Sequence, residues 1–237
     1  MKPSLARRAT AEFFGTGFLV AAVIGSGIMG ERLANGNVAL ALLCNTIATG
    51  AALIALILAF GPISGAHFNP VVTLSDALER GIAWVEVPTY IASQVIGALV
   101  GAIVANLMFN LPAVSLSHHA RSGASQIFAE FIATFGLLSV IWGCSRHRST
   151  AVPFAVGAYI TSAYWFTSST SFANPAVTLA RCISDTFAGI RPMDVLPFVF
   201  AQVIGAICAT LLFRLLVPTL TASANEVLVP QDVDQKS

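Results

Sequence analysis

The chain of 237 residues carries 12 Lys and Arg against 11 Asp and Glu, a formal net charge of +1, with 56% of its residues hydrophobic and only 10% charged. A water-soluble domain carries about 25% charged residues because its surface faces water, so this composition, with a mean hydropathy of +0.81, excludes an ordinary soluble fold. The net charge of +1 says nothing about nucleic acid, which is not expected as a partner, and the shortage of charged residues points to membrane lipid as the surrounding medium.

The first apolar run, near 11–29, follows Lys2, Arg7 and Arg8. A cleaved leader has the same pattern, but this segment has an internal counterpart 118 residues later, so it is read as a retained span. Further spans are predicted near 38–60, 88–109, 126–144, 151–168 and 195–217, the fifth being short. A crossing of the hydrocarbon core, about 30 Å thick, takes about 20 apolar residues. Polar or Gly/Pro-bearing stretches at 31–37, 76–86, 110–125 and 145–150 separate them.

Six spans put both termini on one side. With that side inside, Lys2, Arg7, Arg8, Arg80, Arg146, Arg148, Arg214 and Lys236 are cytoplasmic and only Arg32, Arg121, Arg181 and Arg191 lie outside. The excess favours cytoplasmic termini. Residues 218–237 read as a short disordered tail, polar from about Ala222 onward. Cys44, Cys144, Cys182 and Cys208 lack metal-ligand spacing and read as small packing residues; no metal and no cofactor are expected.

The text of the chain repeats. Ala11-Glu12-Phe13 answers Ala129-Glu130-Phe131, and Thr16 answers Thr134. Asn69-Pro70-Val71-Val72-Thr73-Leu74 answers Asn174-Pro175-Ala176-Val177-Thr178-Leu179, and Gln94-Val95-Ile96-Gly97-Ala98 recurs unchanged from Gln202 to Ala206. The offsets, 118, 105 and 108, keep one order. One domain over 1–237 is therefore two repeats, about 8–109 and about 126–217. Each repeat holds three spans, an odd number, so the second is inverted relative to the first. Inverted repeats place a substrate site near the midplane, on broken helices.

The broken helices are visible. After the second span comes Gly61-Pro62-Ile63-Ser64-Gly65-Ala66-His67-Phe68, then Asn69-Pro70. Asn is a favoured N-cap, and proline suits the first helical position, where it has no hydrogen bond to lose. The apolar run to about Leu78 makes a helix about 14 Å long, half a crossing. Asn174-Pro175 starts the same device, running to about Ile183. Two such helices meeting head to head present two positive dipole ends, which raise the barrier for cations and protons. The amide N–H groups of Asn69 and Asn174 left after capping are donors for a passing water or hydroxyl. Gly97-x-x-x-Gly101 and Gly205-x-x-x-Ala209 allow close helix contact.

These residues carry a resemblance over nearly the whole chain. Ser64-Gly65-Ala66-His67-Phe68-Asn69-Pro70 and Phe172-Ala173-Asn174-Pro175-Ala176 resemble the paired pore motifs of the aquaporin and aquaglyceroporin (major intrinsic protein) family, and the two Ala-Glu-Phe triplets resemble its paired first-helix motifs. The first motif departs from Asn-Pro-Ala in Val71. The resemblance implies an all-α membrane protein with six transmembrane helices plus two half-helices, one pore per protomer, a homotetramer, and passive passage of small neutral solutes. It also implies that Glu12 and Glu130 accept hydrogen bonds from the pore loop of their own half. Direct proton transport is the other reading of these two carboxylates, since an ionisable group inside a membrane is a functional candidate by default. His67 reads as a loop anchor or as a pH sensor.

In this family four positions line the narrowest point, and most members place an arginine directly after the second Asn-Pro-Ala. Here that residue is Val177. By spacing the others are Thr49, Ser171 and, on an ungapped count, Ser162, with Ala163 as the alternative. All are small, which predicts a wide bore without a fixed charge, suited to glycerol, urea or neutral metalloid hydroxides such as arsenite, and to water. Arg181, four residues after Val177 and on the same helix face, either restores positive charge one turn further out or faces the outer interface. The run from Tyr164 to Phe172 resembles bacterial members associated with arsenic-resistance operons, hence a bacterial inner membrane. The competing classes are a strict water channel, a secondary transporter with alternating access and a non-conducting membrane protein; no nucleophile-base pair suggests an enzyme.

Overall fold

A computed structural model describes residues 3–147 and 149–217. Lys2, Arg148, Lys236 and the tail expected over 218–237 lie outside the described residues, as does the Arg146 side chain. The described residues are helical, with no strand among them. In chain order the helices are α1 (Leu5–Leu33), α2 (Val38–Ser64), the short α3 (Pro70–Leu78), α4 (Val87–Met108), α5 (Ala124–His147), α6 (Val152–Phe166), the short α7 (Pro175–Arg181) and α8 (Pro192–Leu216).

Five of these helices are long and apolar enough to cross a membrane. Apart from the short α3 and α7, the exception is α6, whose 15 residues extend about 22 Å. A 3₁₀ turn at Ser149–Ala151 leads into it and adds about 6 Å, which brings the segment close to a full crossing. The weak fifth span of the sequence thus has a structural counterpart.

Local chemistry sets the helix ends. Asn37 caps α2, its side chain accepting from Leu40 N at 3.1 Å. Gly65, at φ +86°, closes the same helix in the left-handed region, which glycine enters without steric cost. Prolines stand at the first or second position of α3, α4, α6, α7 and α8, where the missing N–H is harmless.

The packing inverts the usual soluble order. Glu12, Gln94, Glu130, Gln202, Thr16 and Thr134 have no exposed surface, whereas Phe18, Phe128, Leu196, Phe200 and Leu215 lie more than half exposed on the outside. Lipid solvates such apolar flanks, and polar groups must find partners within the bundle.

Helices α1 and α4 run parallel, tied by Arg8 to Glu86 at one face and by Arg32 to Phe109 O at the other. A Cβ at Gly97 or Gly101 would overlap the carbonyl oxygens of Phe13 and Gly17, and one at Gly205 would stand 2.5 Å from Phe131 O. The α5–α8 contact therefore repeats the α1–α4 contact, as the repeated Gln-Val-Ile-Gly-Ala segments require. Small residues let helices approach where apolar burial offers no drive.

Replacing Gly101 with leucine should disrupt that seam, since overpacking costs about 1–3 kcal/mol even where neighbours yield, and here the neighbour is backbone. Thermal melting in detergent should show a clear drop for Gly101→Leu. Gly143→Ala, whose Cβ would meet Phe213 at an ordinary 3.6 Å, should melt like the parent.

Candidate functional site

The two short helices meet at their N-termini. Asn69 caps α3 through Val71 N at 3.1 Å, and Asn174 caps α7 through Ala176 N at 3.0 Å and Val177 N at 3.3 Å. Each amide then crosses to the other loop. Asn69 Nδ2 donates to Ala173 O and Asn174 Nδ2 donates to Phe68 O, both at 2.8 Å. This refines the expectation of free amide donors. A primary amide has two N–H groups, one is spent on the opposite loop, and one per asparagine remains for the lumen.

The loops leading into these helices are strained in matching ways. Ala66 and Phe68 have φ of 49°, and Ser171 and Ala173 have φ of 50° and 49°. Such conformations in non-glycine residues cost about 1–3 kcal/mol each. The carboxylates expected to support the loops make the offsetting contacts. Glu12 Oε1 accepts from Ser64 Oγ at 2.6 Å and His67 N at 3.0 Å, and Oε2 accepts from Phe68 N and Gln94 Nε2, both at 2.7 Å. Glu130 accepts from Phe172 N at 2.8 Å, Ala173 N at 2.9 Å and Gln202 Nε2 at 2.6 Å. Hydrogen bonds to a charged acceptor contribute about 1.5–3 kcal/mol each.

Gln94 and Gln202 also donate, at 2.9 Å, to Thr73 Oγ1 and Thr178 Oγ1, joining each carboxylate to its half-helix. None of these four residues stood among the expected site residues. Their signal was present, since all four lie inside the repeated segments. His67 is held within its own half, Nδ1 3.1 Å from Thr73 Oγ1 and Nε2 3.5 Å from Asp76 Oδ2.

A cavity follows the junction. Asn69 and Asn174 line it together with Ala66, His67, Phe68, Val72, Ser171 and Val177. Helix α2 contributes Thr49, Leu53 and Ile57, and α6 contributes Val156, Ile160 and Tyr164, each set spaced one turn apart. The space open to the centre of a water molecule is about 60 Å³. One water occupies about 10–15 Å³ on that measure, so the cavity admits a short file of waters.

Thr49, Ser171 and Val177 reach this cavity; Ser162 does not. Ser162 is exposed on the outer side of α6 and donates to Tyr159 O at 2.8 Å. Ala163 is buried but does not line the cavity. The wall residue is Tyr164, whose hydroxyl lies 3.3 Å from Thr49 Oγ1. Each residue turns a helix by about 100°, so two steps carry the side chain from the lipid face to the lumen. An ungapped count across the connection between α6 and Asn174 misjudges that rotation.

The expected lack of both an aromatic ring and a guanidinium is likewise corrected. Tyr164, Phe172 and Arg181 all line the cavity. Arg181 is 1% exposed, stacks its guanidinium 3.4 Å over the Phe172 ring and donates from Nε to Ala188 O. Arg121, in the connection before α5, lies 4.9 Å from the same ring and donates to Gly189 O and Ser169 O. Burial pulls its pKa down to about 10, which leaves it charged at neutral pH.

An apolar exterior around an axial cavity, with two half-helices abutting at its middle, defines a membrane channel of the inverted-repeat type. The comparisons agree. The major intrinsic protein family model matches residues 1–162 and 145–235. The chain is similar to Aquaglyceroporin AqpS of Rhizobium meliloti (strain 1021), 52% identical over 89% of this chain and 90% of that protein. It is also similar to Aquaporin NIP3-1 of Oryza sativa subsp. japonica, 33% identical over 67% of this chain and 52% of that relative, about half its length. The crystal structure of the aquaglyceroporin from Plasmodium falciparum shares the fold, with a TM-score of 0.71 and 19% identity over 93% of this chain and all of that one. The chain belongs to the major intrinsic protein family, whose members are channels rather than enzymes. It is a multi-pass membrane channel for small neutral solutes.

Replacing Glu130 with glutamine sets an amide N–H against the N–H of Phe172 or Ala173. An unsatisfied buried donor costs about 1–3 kcal/mol. Glu130→Gln and Glu12→Gln should each melt several degrees lower in detergent and lose most solute flux. Proton uptake by the parent protein in proteoliposomes should stay at the background of empty vesicles, as support rather than proton relay requires.

Proposed function

We propose that the channel is a passive, bidirectional facilitator of aquaglyceroporin type, passing glycerol, urea or neutral metalloid hydroxides such as arsenite, and water with them. The observation that carries this reading is Val177, the residue after Asn174-Pro175-Ala176, which stands on the cavity wall with Thr49. Both side chains are short and neutral, which supports passage of solutes larger than water. The 52% identity to a protein named an aquaglyceroporin supports the same choice. A transporter with alternating access would need a coupling-ion site. The interior carboxylates Glu12 and Glu130 are instead occupied by loop N–H groups, which favours a channel.

The proposed setting is a bacterial inner membrane with both termini cytoplasmic, in keeping with the distribution of Lys and Arg, and four copies each carrying a pore. On that orientation Arg181 and Tyr164 lie toward the outside.

Stopped-flow swelling of proteoliposomes with water, glycerol, urea and arsenite tests the reading. The parent should pass the solutes with a low activation energy and no dependence on an ion gradient. Val177→Arg, which fills the bore beside Thr49, should lower glycerol and arsenite flux by about tenfold or more. Unchanged flux in that variant would overturn the assignment of Val177.

A further inference from the structure

The offset of 105 residues that relates the two Asn-Pro motifs also relates His67 to Phe172 and Asp76 to Arg181. In the first repeat the loop residue His67 meets Asp76 of its half-helix at 3.5 Å. In the second, Phe172 meets Arg181 with the guanidinium 3.4 Å from the ring centroid. The same holds one shell out, where His67 packs on Tyr90 at 5.4 Å and Phe172 on Phe198 at 5.3 Å. The pseudo-two-fold thus sets an acid on α3 against a cation at the matching place on α7, and of the two only Arg181 lines the cavity. Arg181 occupies a position built into both repeats, not an incidental surface site.

Two arginines flank Phe172, but their donors are used differently. Arg121 spends its nitrogens on the carbonyls of Gly189, Ser169 and Phe187 and does not line the cavity. Arg181 donates from Nε to Ala188 O, and no described residue accepts from its two Nη groups, while the residue itself forms part of the cavity wall. Stacking on Phe172 fixes the plane of the guanidinium, and the remaining donors have only the lumen to serve. Tyr164 and Thr49, paired through their hydroxyls at 3.3 Å, stand on the same wall.

We infer that Arg181, seated on Phe172, and Tyr164, paired with Thr49, form a displaced selectivity filter that accepts neutral solutes bearing hydroxyl, carbonyl or amide oxygens and rejects cations of the same size and shape. The charge sits one helical turn beyond Val177, so it screens the mouth without narrowing the bore at Val177. Arg181 supplies repulsion of cations and two donors; Tyr164 supplies one hydroxyl. This rests on the chain conducting neutral solutes, as proposed above.

Urea and guanidinium make a matched pair of probes, alike in shape and differing in charge. In proteoliposomes the parent protein should pass urea and exclude guanidinium by about a hundredfold or more, since a charge facing another across a few ångströms of low-dielectric wall is a large barrier. Arg181→Met keeps the length and apolar contact with Phe172 and should raise the guanidinium-to-urea flux ratio at least about tenfold. Arg181→Lys, which keeps the charge, should leave that ratio near the parent value. Tyr164→Phe removes one hydroxyl and should lower the glycerol-to-urea ratio by about threefold, the effect of one neutral hydrogen bond.

An unchanged guanidinium-to-urea ratio in Arg181→Met would mean that the half-helix dipoles alone exclude cations, and the displaced filter falls. If Arg181→Met does not fold, free passage of guanidinium through the parent channel overturns the inference just as directly. Absence of flux for urea and glycerol alike in the parent sinks the channel reading instead, so the two failures are told apart.

Discussion

Backbone at the depth of a bilayer can turn to water only along a passage, and everything distinctive in this molecule follows from meeting that condition without a continuous helix. Two loops, each ending in an asparagine, leave several N–H groups without helical partners. Glu12 and Glu130 collect them, two backbone donors per carboxylate. The charge that is costly in a membrane span is what holds the interrupted backbone there, and the backbone in turn keeps the charge satisfied. Each carboxylate is fixed by the glutamine of the opposite helix in its repeat, Gln94 or Gln202, and through it by a threonine of the half-helix. The glycine seams that bring α1 against α4 and α5 against α8 allow those glutamines to reach.

The symmetry of this support contrasts with the asymmetry of what it supports. Asn69 and Asn174 are near equivalents, each capping its own helix and donating to the other loop. Beyond them the repeats diverge, with His67 and Asp76 at one side and Phe172 and Arg181 at the other. A duplicated scaffold frees the residues just outside the junction to set what passes, while the residues behind the loops remain tied to the backbone. Permeation is thereby separated from stability, which is how one architecture can serve different solutes.

Much of this was legible in the sequence because it is written twice. The matched Asn-Pro motifs, the paired Ala-Glu-Phe triplets and the recurring Gln-Val-Ile-Gly-Ala segment carry the inverted repeat and the half-helices, while the supporting role of Glu12 and Glu130 came only with the family resemblance. The filter was less legible, for geometric reasons. Ser162 follows from an ungapped count back from Asn174 through an irregular connection, and a two-residue error rotates a helical side chain by about 200°. The stripe Val156, Ile160, Tyr164, in step with Thr49, Leu53, Ile57 on α2, held the correct phase. Arg181 shares a helix face with Val177, but helix spacing leaves open whether it meets the lumen or the outer interface and says nothing of the Phe172 ring that directs it. That ring comes from a loop whose left-handed residues leave no periodic pattern to read.

The central claim is that two half-helices capped by Asn69 and Asn174 abut in the middle of one water-filled passage. A density map of the protein in lipid nanodiscs addresses it most directly. The account predicts both amide side chains within hydrogen-bonding distance of the opposite loop's carbonyl, with ordered water running past them between the two faces. A map that put the asparagines at separate surfaces, or closed protein between them with no continuous passage, would contradict it.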